Sequence, residues 1–584
     1  MKDTAVMGRL RGYRLSGLRG DGLGALTAWA LIVPECVAYA QIAGVPPQNA
    51  FYAAPVALLV YALLGRSNFL VVGATSAASV LSASAIAGVG SPADAVGLSA
   101  AVAVVSGAVL VAAGLARLGF VTNFLAEPAL VGFLFGMALT IIVRQLSKLT
   151  GADGGDGDFF ERLRALLRHV PDWSLATLAV GLTALGVLLL LERFLPRLPA
   201  ALLVLVLGLA VSAGAGLEKH GVEVVGKIPS AVPVPRLPGI PAADWLALAG
   251  GALGVALVVF AEAYSIAGRF AREHGQEVDA DREMIAVGAA NVAVGLVRGF
   301  VVSGSASRSA AAVGAGGRTP MVSLIAAALI LLTGAFLTPL FTDLPEAVLG
   351  AIVIVAVRGF LRVGELRRYA RLDRSSLWVA LTALLGVLLF DLLPGLLLAV
   401  ALSLVLFIAA ASRRHVAVLG RLPGSGARDG RPGDGRVLLY GDTDMHADAE
   451  PVPGVLVVRP DGSLFFGNIS RVRLAVRDQV RAADPPPHTV VLDLGDSYHL
   501  GVPVLDTLDE LRDELHRHGV ALCLAHVRAR AATDLARHPL ATRLGRHALH
   551  PTVDDAVRAA TGVPQEGSRP PATPTRNSDE TPPS

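Results

Sequence analysis

VVSGSASRSAAAVGAGGRTP, residues 301–320, is the stretch whose reading decides the fold. It is rich in serine and glycine, holds Arg308, and has hydrophobic sequence on both sides. A charge at membrane depth is costly. Irregular backbone survives there only where protein buries it or where it lines a cavity. The stretch is therefore either a polar loop outside a membrane or the floor of a binding site within one, and its surroundings have to choose.

Those surroundings are apolar. The chain has 584 residues, 53% hydrophobic and 17% charged, with a mean hydropathy of +0.59. Soluble domains carry about 25% charged residues, so the composition points to a polytopic α-helical membrane protein with a soluble appendage. A net charge of +3 is too small to suggest nucleic acid. The two cysteines, Cys36 and Cys523, fall in different regions and rule against a disulfide or zinc framework. No histidine grouping has metal-ligand spacing, and no GxxxxGK[ST] loop is present, so neither a metal, another cofactor nor ATP-driven pumping is expected. Residues 1–20 hold Lys2, Arg9, Arg11, Arg14 and Arg19 without an apolar core and read as a basic cytoplasmic arm.

A spanning helix needs about 20 apolar residues. Apolar segments run over 22–43, 51–64, 73–88, 95–116, 122–143, 173–191 and 200–215. A proline- and glycine-rich connector, 217–243, follows. Seven more run over 245–270, 284–302, 303–316, 320–341, 345–357, 377–393 and 395–411. That is about 14 transmembrane segments in two sets of seven. Each set opens with a helix bearing an acid, Glu35 or Glu262, and has a short Gly/Ser/Thr-rich piece about forty residues later. Paired interrupted segments are the sequence pointer to a transporter with repeats and a midplane site, and an odd number of helices per half makes the repeat inverted. The arginine clusters at 193–197, 269–282, 358–374 and 413–414 fall on the side of the basic arm, as the positive-inside rule asks. The arginines at 162, 164 and 168 disagree with it. Beyond 411, strands are expected at 454–460, 463–466, 488–494 and 519–525, with helices over 468–480 and 502–516, forming a small cytoplasmic α/β domain. The organisation expected is an arm over 1–20, a membrane domain over 21–412, a linker over 413–450, the α/β domain over 451–562, and a disordered tail over 563–584.

Within this frame the opening stretch acquires chemistry. A half-helix starting near Ser305 would aim free N–H groups and a positive dipole end at the midplane. Ser305 and Ser307 add donors, and Arg308 adds a full charge. Gly73, Thr75 and Ser76 supply a second helix start from the other half. Two positive ends facing each other make an anion site. The plainer alternative is close helix packing through small residues, with Arg308 reaching an interface. Glu35 follows Pro34 inside an apolar helix, where a carboxyl out of water resists ionisation and can carry a proton. The alternative is a structural pair with an arginine or a helix end. Glu262 could hold a cation, bond to the broken backbone or balance Arg308. Tyr39, one turn beyond Glu35, could wall the pocket or belong to the core.

The order of residues resembles a known family. VPECVAYAQIAGVPPQNAFYAAPVALLVYALLGRSNFLVVGATSAAS (33–79), AEAYSIAGRFAREHGQEVDADREMIAVGAANVAVGLVRGFVVSGSASRSA (261–310), GGRTPMVSLIAA (316–327) and LPEAVLGAIVI (344–354) are similar to the SulP (sulfate permease) anion transporters, bacterial relatives of solute carrier family 26. The resemblance implies a 7+7 inverted repeat divided into core and gate domains, a C-terminal STAS domain, a homodimer and an elevator-type movement. It puts the anion between the third and tenth helices, at Gly73, Thr75, Ser76, Ser305, Ser307 and Arg308, with Tyr39 from the first helix. Glu35 occupies a position that is Glu in proton-coupled bacterial members, and Glu262 matches the acid that binds sodium in a bicarbonate-transporting member. Two departures stand out. The family's Gly-Pro before the third helix is Gly73-Ala74 here. In the STAS region Leu500 and Val502 replace the usual Asp-x-Ser/Thr, which argues for a dimerisation or trafficking module over a phosphorylation switch. The expectation is a multi-pass protein of the plasma membrane that carries sulfate, bicarbonate or a dicarboxylate with a proton. The alternatives are a sodium-coupled bicarbonate carrier, an uncoupled anion channel and an anion-sensing STAS protein. None of these is an enzyme.

Overall fold

The computed structural model describes residues 17–87, 89, 94–120, 127–152, 154–155, 157–195, 198–229, 234–390, 392–412, 415–423 and 439–562. The tail expected over 563–584 and all but the end of the expected arm lie outside the described residues. The chain divides into two units, Met1–Leu404 and Val405–Ser584.

The first unit is helical. Its first half runs α1 (Leu18–Ile42), α2 (Gln48–Leu64), α3 (Ser76–Ala87), α4 (Ala95–Leu115), α5 (Glu127–Thr150), α6 (Phe159–Arg168), α7 (Leu175–Phe194) and α8 (Ala200–Ala215). Its second half runs α9 (Ala242–Glu273), α10 (Ala280–Leu296), α11 (Ala306–Gly314), α12 (Met321–Leu332), α13 (Glu346–Arg358), α14 (Val363–Leu372), α15 (Arg374–Phe390) and α16 (Leu392–Ser412). Among the described residues seven helical runs are long and apolar enough to cross a membrane alone. With the shorter helices α2, α8, α10, α15 and α16 and the two broken segments α3 and α11 they make up the fourteen expected. The halves match element by element. The third span of each is a short helix, α3 or α11, and a polar-faced helix, α6 or α14, follows the fifth.

A short extended piece precedes each broken helix: β1 (Val71–Gly73) before α3 and β2 (Ser303–Ser305) before α11. The two pair antiparallel, with Val71 opposite Ser305 and Gly73 opposite Ser303. The pairing satisfies backbone that has no helix to satisfy it and no water to turn to. It also ties the two repeats together at their broken segments.

Side-chain size decides which helices meet. Cβ atoms added at Gly107 and Gly288 would lie 2.5 Å from the Gly288 carbonyl oxygen and 2.7 Å from the Gly107 carbonyl oxygen. One added at Gly295 would lie 2.5 Å from the Ala100 carbonyl oxygen. α4 and α10 therefore touch backbone to backbone, as small residues permit in membranes. The helices fall into two groups. α1–α4 pack mainly with α9–α12, while α5 packs mainly with α13 and α15, and α7 mainly with α13.

The second unit is an α/β fold. Its sheet contains β3 (Val416–Arg421), β4 (Tyr440–Asp442), β5 (Val455–Pro460), β6 (Thr489–Asp493), β7 (Ala521–Ala525) and β8 (Leu549–His550), in the order β4-β3-β5-β6-β7-β8. β5 through β8 run parallel, and β3 is antiparallel to β5. Alternate residues go to opposite faces: Val458, Val490 and Leu492 join one apolar core with α17 (Ile469–Ala482) and α18 (Val502–Arg517). Val457 and Val491 join another with Val553, Ala556 and Val557. Two expectations need correction. The linker over 413–450 is shorter, because β3 and β4 lie within it and belong to the sheet. Residues 463–466 are not a strand. They form a turn in which the Asn468 side-chain oxygen accepts from the Phe465 N–H at 2.9 Å, and Phe466 is exposed.

Candidate functional site

The local sequence builds both helix starts. Ser305 is extended (φ −114°, ψ 120°) and caps α11 by accepting from the Arg308 N–H at 3.4 Å. The Ser305 and Ser307 hydroxyls lie 3.2 Å apart. On the other side the Thr75 hydroxyl accepts from the Ala78 N–H at 3.2 Å, which is the capping geometry expected of threonine ahead of a helix. Thr75 in turn donates to Glu262 Oε2 at 3.4 Å.

Arg308 joins the two starts. It is 1% exposed, among the largest fully buried side chains of the described residues. It leaves α11 and crosses to the start of α3, where Nη2 donates to the Ala74 carbonyl oxygen. Nη1 occupies the space a side chain on residue 73 would need: a Cβ on Gly73 would lie 2.5 Å from it. Nε lies 3.1 Å from Glu35 Oε2. Neither of these two atoms makes an aligned hydrogen bond among the described residues. The contact is an ion pair whose N–H is not aimed at its partner. Of the partners open to Arg308, α1 supplies the pair through Glu35, and Glu262 on α9 is bonded to Thr75 instead.

A cavity of about 920 Å³ opens beside this arrangement. Tyr39, Thr75, Ser76, Glu262, Ser305, Ser307 and Arg308 line it. Gly73 and Glu35 are not in its wall; they stand behind Arg308. All of these polar groups belong to one helix group. The other group contributes Leu130, Val131 and Leu134 of α5 and Phe360 after α13, and its charged contributions, Glu127 and Arg362, come from helix ends. The cavity extends to Arg272, Gln276 and Glu277, beyond the middle of α9, and so reaches one end of the bundle.

At the end of α1 opposite its N-terminus lies a polar cluster that the residue pattern does not announce. Lys148 Nζ, near the end of α5, donates to Gln41 Oε1 at 2.6 Å and lies 3.2 Å from Glu346 Oε2 at the start of α13. Gln41 Nε2 donates to Glu346 Oε1 at 3.4 Å. The cluster bridges the two helix groups. Lys148 reads in sequence as an ordinary positive flank of a span, and only its spatial neighbours mark it.

Comparison with known proteins agrees with this architecture. A model of the sulfate permease family matches residues 18–383, and one of the STAS domain matches residues 446–556. A probable sulfate transporter of Mycobacterium tuberculosis is 35% identical, over 94% of this chain and 97% of its own length. Sulfate transporter 1.1 of Arabidopsis thaliana is 28% identical, over 94% of this chain and 87% of its own. Among solved structures, the murine solute carrier 26 family member A9 anion transporter in the inward-facing state superposes with a TM-score of 0.86 at 22% identity, covering 95% of this chain and 94% of that one. The transmembrane domain of a cyanobacterium bicarbonate transporter superposes at 0.59 and 21% identity, covering 66% and 98%. At these identities the structural likenesses speak for the fold.

Proposed function

The chain belongs to the sulfate permease family of anion transporters, and from that premise we propose that it carries a sulfate-class anion across the plasma membrane together with a proton held on Glu35. The observation that carries this reading is the Arg308–Glu35 pair, 3.1 Å apart, set between two helix starts beside the cavity. With Glu35 ionised, the guanidinium already has its counter-charge. Protonating Glu35 removes that competitor and leaves Arg308, with the N-terminal ends of α3 and α11, to meet an anion. Proton and anion then favour each other's binding, and the coupling is reciprocal.

The division of labour in the cavity wall supports alternating access of the elevator kind. One helix group holds the polar site, and the other offers a largely apolar wall along which it can slide. The Gln41–Lys148–Glu346 cluster fastens the two groups away from the site, so it must part when they shift. Lys148→Gln is expected to change the ratio of the two access states by about two- to fivefold, the scale of a solvent-accessible ion pair, here between side chains 24% and 26% exposed. Labelling of cysteines introduced on either side of the cluster reads that ratio, and exchanging the charges, Lys148→Glu with Glu346→Lys, restores it. An unchanged ratio in Lys148→Gln removes the cluster from the mechanism.

Gly73→Ala tests the site without touching a charge. Its Cβ meets Arg308 Nη1 at 2.5 Å, so the guanidinium must leave its seat. The expected result is a tenfold or greater loss of anion affinity, on the order of 1.4 kcal/mol or more, with the protein still folded. Anion-dependent thermal shift and vesicle uptake measure it.

The decisive experiment is uptake into vesicles of sulfate, bicarbonate, chloride and a dicarboxylate, with and without proton and sodium gradients. Acceleration of sulfate uptake by an inward proton gradient is expected. A sodium requirement moves the coupling to Glu262, whose carboxylate faces the cavity beside Thr75. If no anion moves and none binds, the proposal fails. The same reading takes the transporter as a homodimer with its N-terminus and STAS domain in the cytoplasm, which crosslinking and protease protection in oriented vesicles test.

A further inference from the structure

We propose that α14 and the residue that opens α15 form a docking surface for anionic phospholipid headgroups, through Arg367, Arg371 and Arg374. The placement comes first. α14 joins two apolar helices of the membrane unit, α13 ending at Arg358 and α15 beginning at Arg374. A ten-residue helix so tethered lies at the membrane surface. None of its residues is buried in the protein.

Its faces differ. Glu365, Leu366 and Tyr369 are partly covered, while Val363, Arg367, Ala370 and Arg371 are exposed. Gly364, Arg368 and Leu372 are exposed as well; Val363, Arg367, Ala370 and Arg371 recur at helical spacing and share one stripe. Small apolar residues can dip toward the acyl chains there while the arginines stay at headgroup level.

The charge on this face is not neutralised from within. Arg358 is paired with Glu192 at 2.8 Å and Arg368 with Glu365 at 3.3 Å. The Asp373 carboxylate is taken by the Ser375 and Ser376 hydroxyls at 2.6 and 2.5 Å. Arg367, Arg371 and Arg374 make no ion pair or hydrogen bond among the described residues. Three unpartnered guanidinium groups held at a bilayer surface match phosphate groups in charge and in hydrogen-bonding geometry. The membrane supplies those phosphates at a fixed height. Arg362, which precedes α14, lines the cavity, so a lipid held on α14 anchors the helix next to the cavity's charged end.

The test uses the full-length protein in vesicles of phosphatidylcholine alone or doped with phosphatidylglycerol. Hydrogen exchange over residues 363–372 and retention of phosphatidylglycerol on the purified protein are read together. The expected result is stronger protection in the doped vesicles, weakened by salt, and phosphatidylglycerol affinity falling about fivefold for each arginine changed to glutamine. Arg367→Lys, Arg371→Lys and Arg374→Lys keep the charge and retain most of the binding. Inorganic phosphate added to phosphatidylcholine vesicles gives no protection, because it lacks the anchoring tail. The proposal is overturned if wild type does not distinguish the two vesicle types, if the triple glutamine variant binds phosphatidylglycerol as wild type does, or if free phosphate protects equally. Any of these leaves the face merely solvated or a site for soluble anions.

Discussion

Arg308→Ala abolishes anion uptake, with transport falling about a hundredfold or more. Two losses combine. The anion would lose the positive charge set between the two helix starts, leaving only Arg272 and Arg362 toward the open end of the cavity. Glu35, 3.1 Å from Arg308 Nε in the native site, is left as a buried carboxylate without its cation. Removing one member of a buried pair costs about 3–5 kcal/mol, which is enough to unsettle the junction of β1, β2 and the two helix starts. Arg308→Ala combined with Glu35→Gln separates the effects, since it restores the thermal stability of the single variant while uptake stays lost. Arg308→Lys recovers only a fraction. A lysine carries the charge but cannot at once bond the Ala74 carbonyl, fill the space at Gly73 and approach Glu35, as the guanidinium fork does. Uptake into vesicles and anion-dependent thermal shift are the measurements. If Arg308→Ala retains half of the wild-type uptake, the cavity is not the anion site.

Glu35→Gln, by contrast, uncouples without blocking. In wild type, uptake is expected to fall as pH rises, because on the proposed mechanism ionised Glu35 reclaims Arg308. The amide cannot ionise, so Arg308 stays available and the pH profile flattens. At alkaline pH the variant binds anion about tenfold more tightly than wild type, the order of magnitude of a charge-assisted bond that no longer competes. The acceleration by an inward proton gradient disappears. Binding titrations across pH and gradient-driven uptake check both halves. Acceleration unchanged in Glu35→Gln sinks the role of this residue. A wild-type protein indifferent to proton gradients and dependent on sodium points to Glu262 instead.

The extent to which the site was legible differs from residue to residue. Ser305, Thr75 and the helices they cap are local features. A hydroxyl before a short helix in an apolar chain announces its own geometry, and β1–α3 and β2–α11 carry the same grammar twice. The partner of Arg308 was not local. Glu35 and Glu262 both sit in apolar helices at matching places, and sequence alone left each open as its counter-charge. The structure brings α1 behind Arg308 and turns Glu262 of α9 to Thr75. The Gln41–Lys148–Glu346 cluster is not legible in the sequence for a similar reason: its members come from three helix ends, and each alone looks like a solvated flank. In the second unit β3 is hidden in the sequence because VAVLGR closely follows an apolar span and precedes a Gly/Asp/Arg-rich stretch. The four apolar-rich residues 463–466 carry a strand-like composition, but Gly462 and Gly467 bracket them and interrupt the run.

By itself the sequence determined the membrane class, the two sets of helices, the broken third helix of each, the polar groups at their starts and the α/β domain that follows. Those follow from hydropathy, period and capping, which act over a few residues along the chain. Only the tertiary structure decided that β1 pairs with β2, that Arg308 spans both helix starts and rests against Glu35, and that the polar site belongs to one helix group while the other supplies a wall that is apolar except for Glu127 and Arg362 at its helix ends. Contacts between residues hundreds apart depend on which helix faces pack, and that is set by the joint burial of many side chains and by close backbone approach at glycines such as Gly107 and Gly288, not by any single stretch.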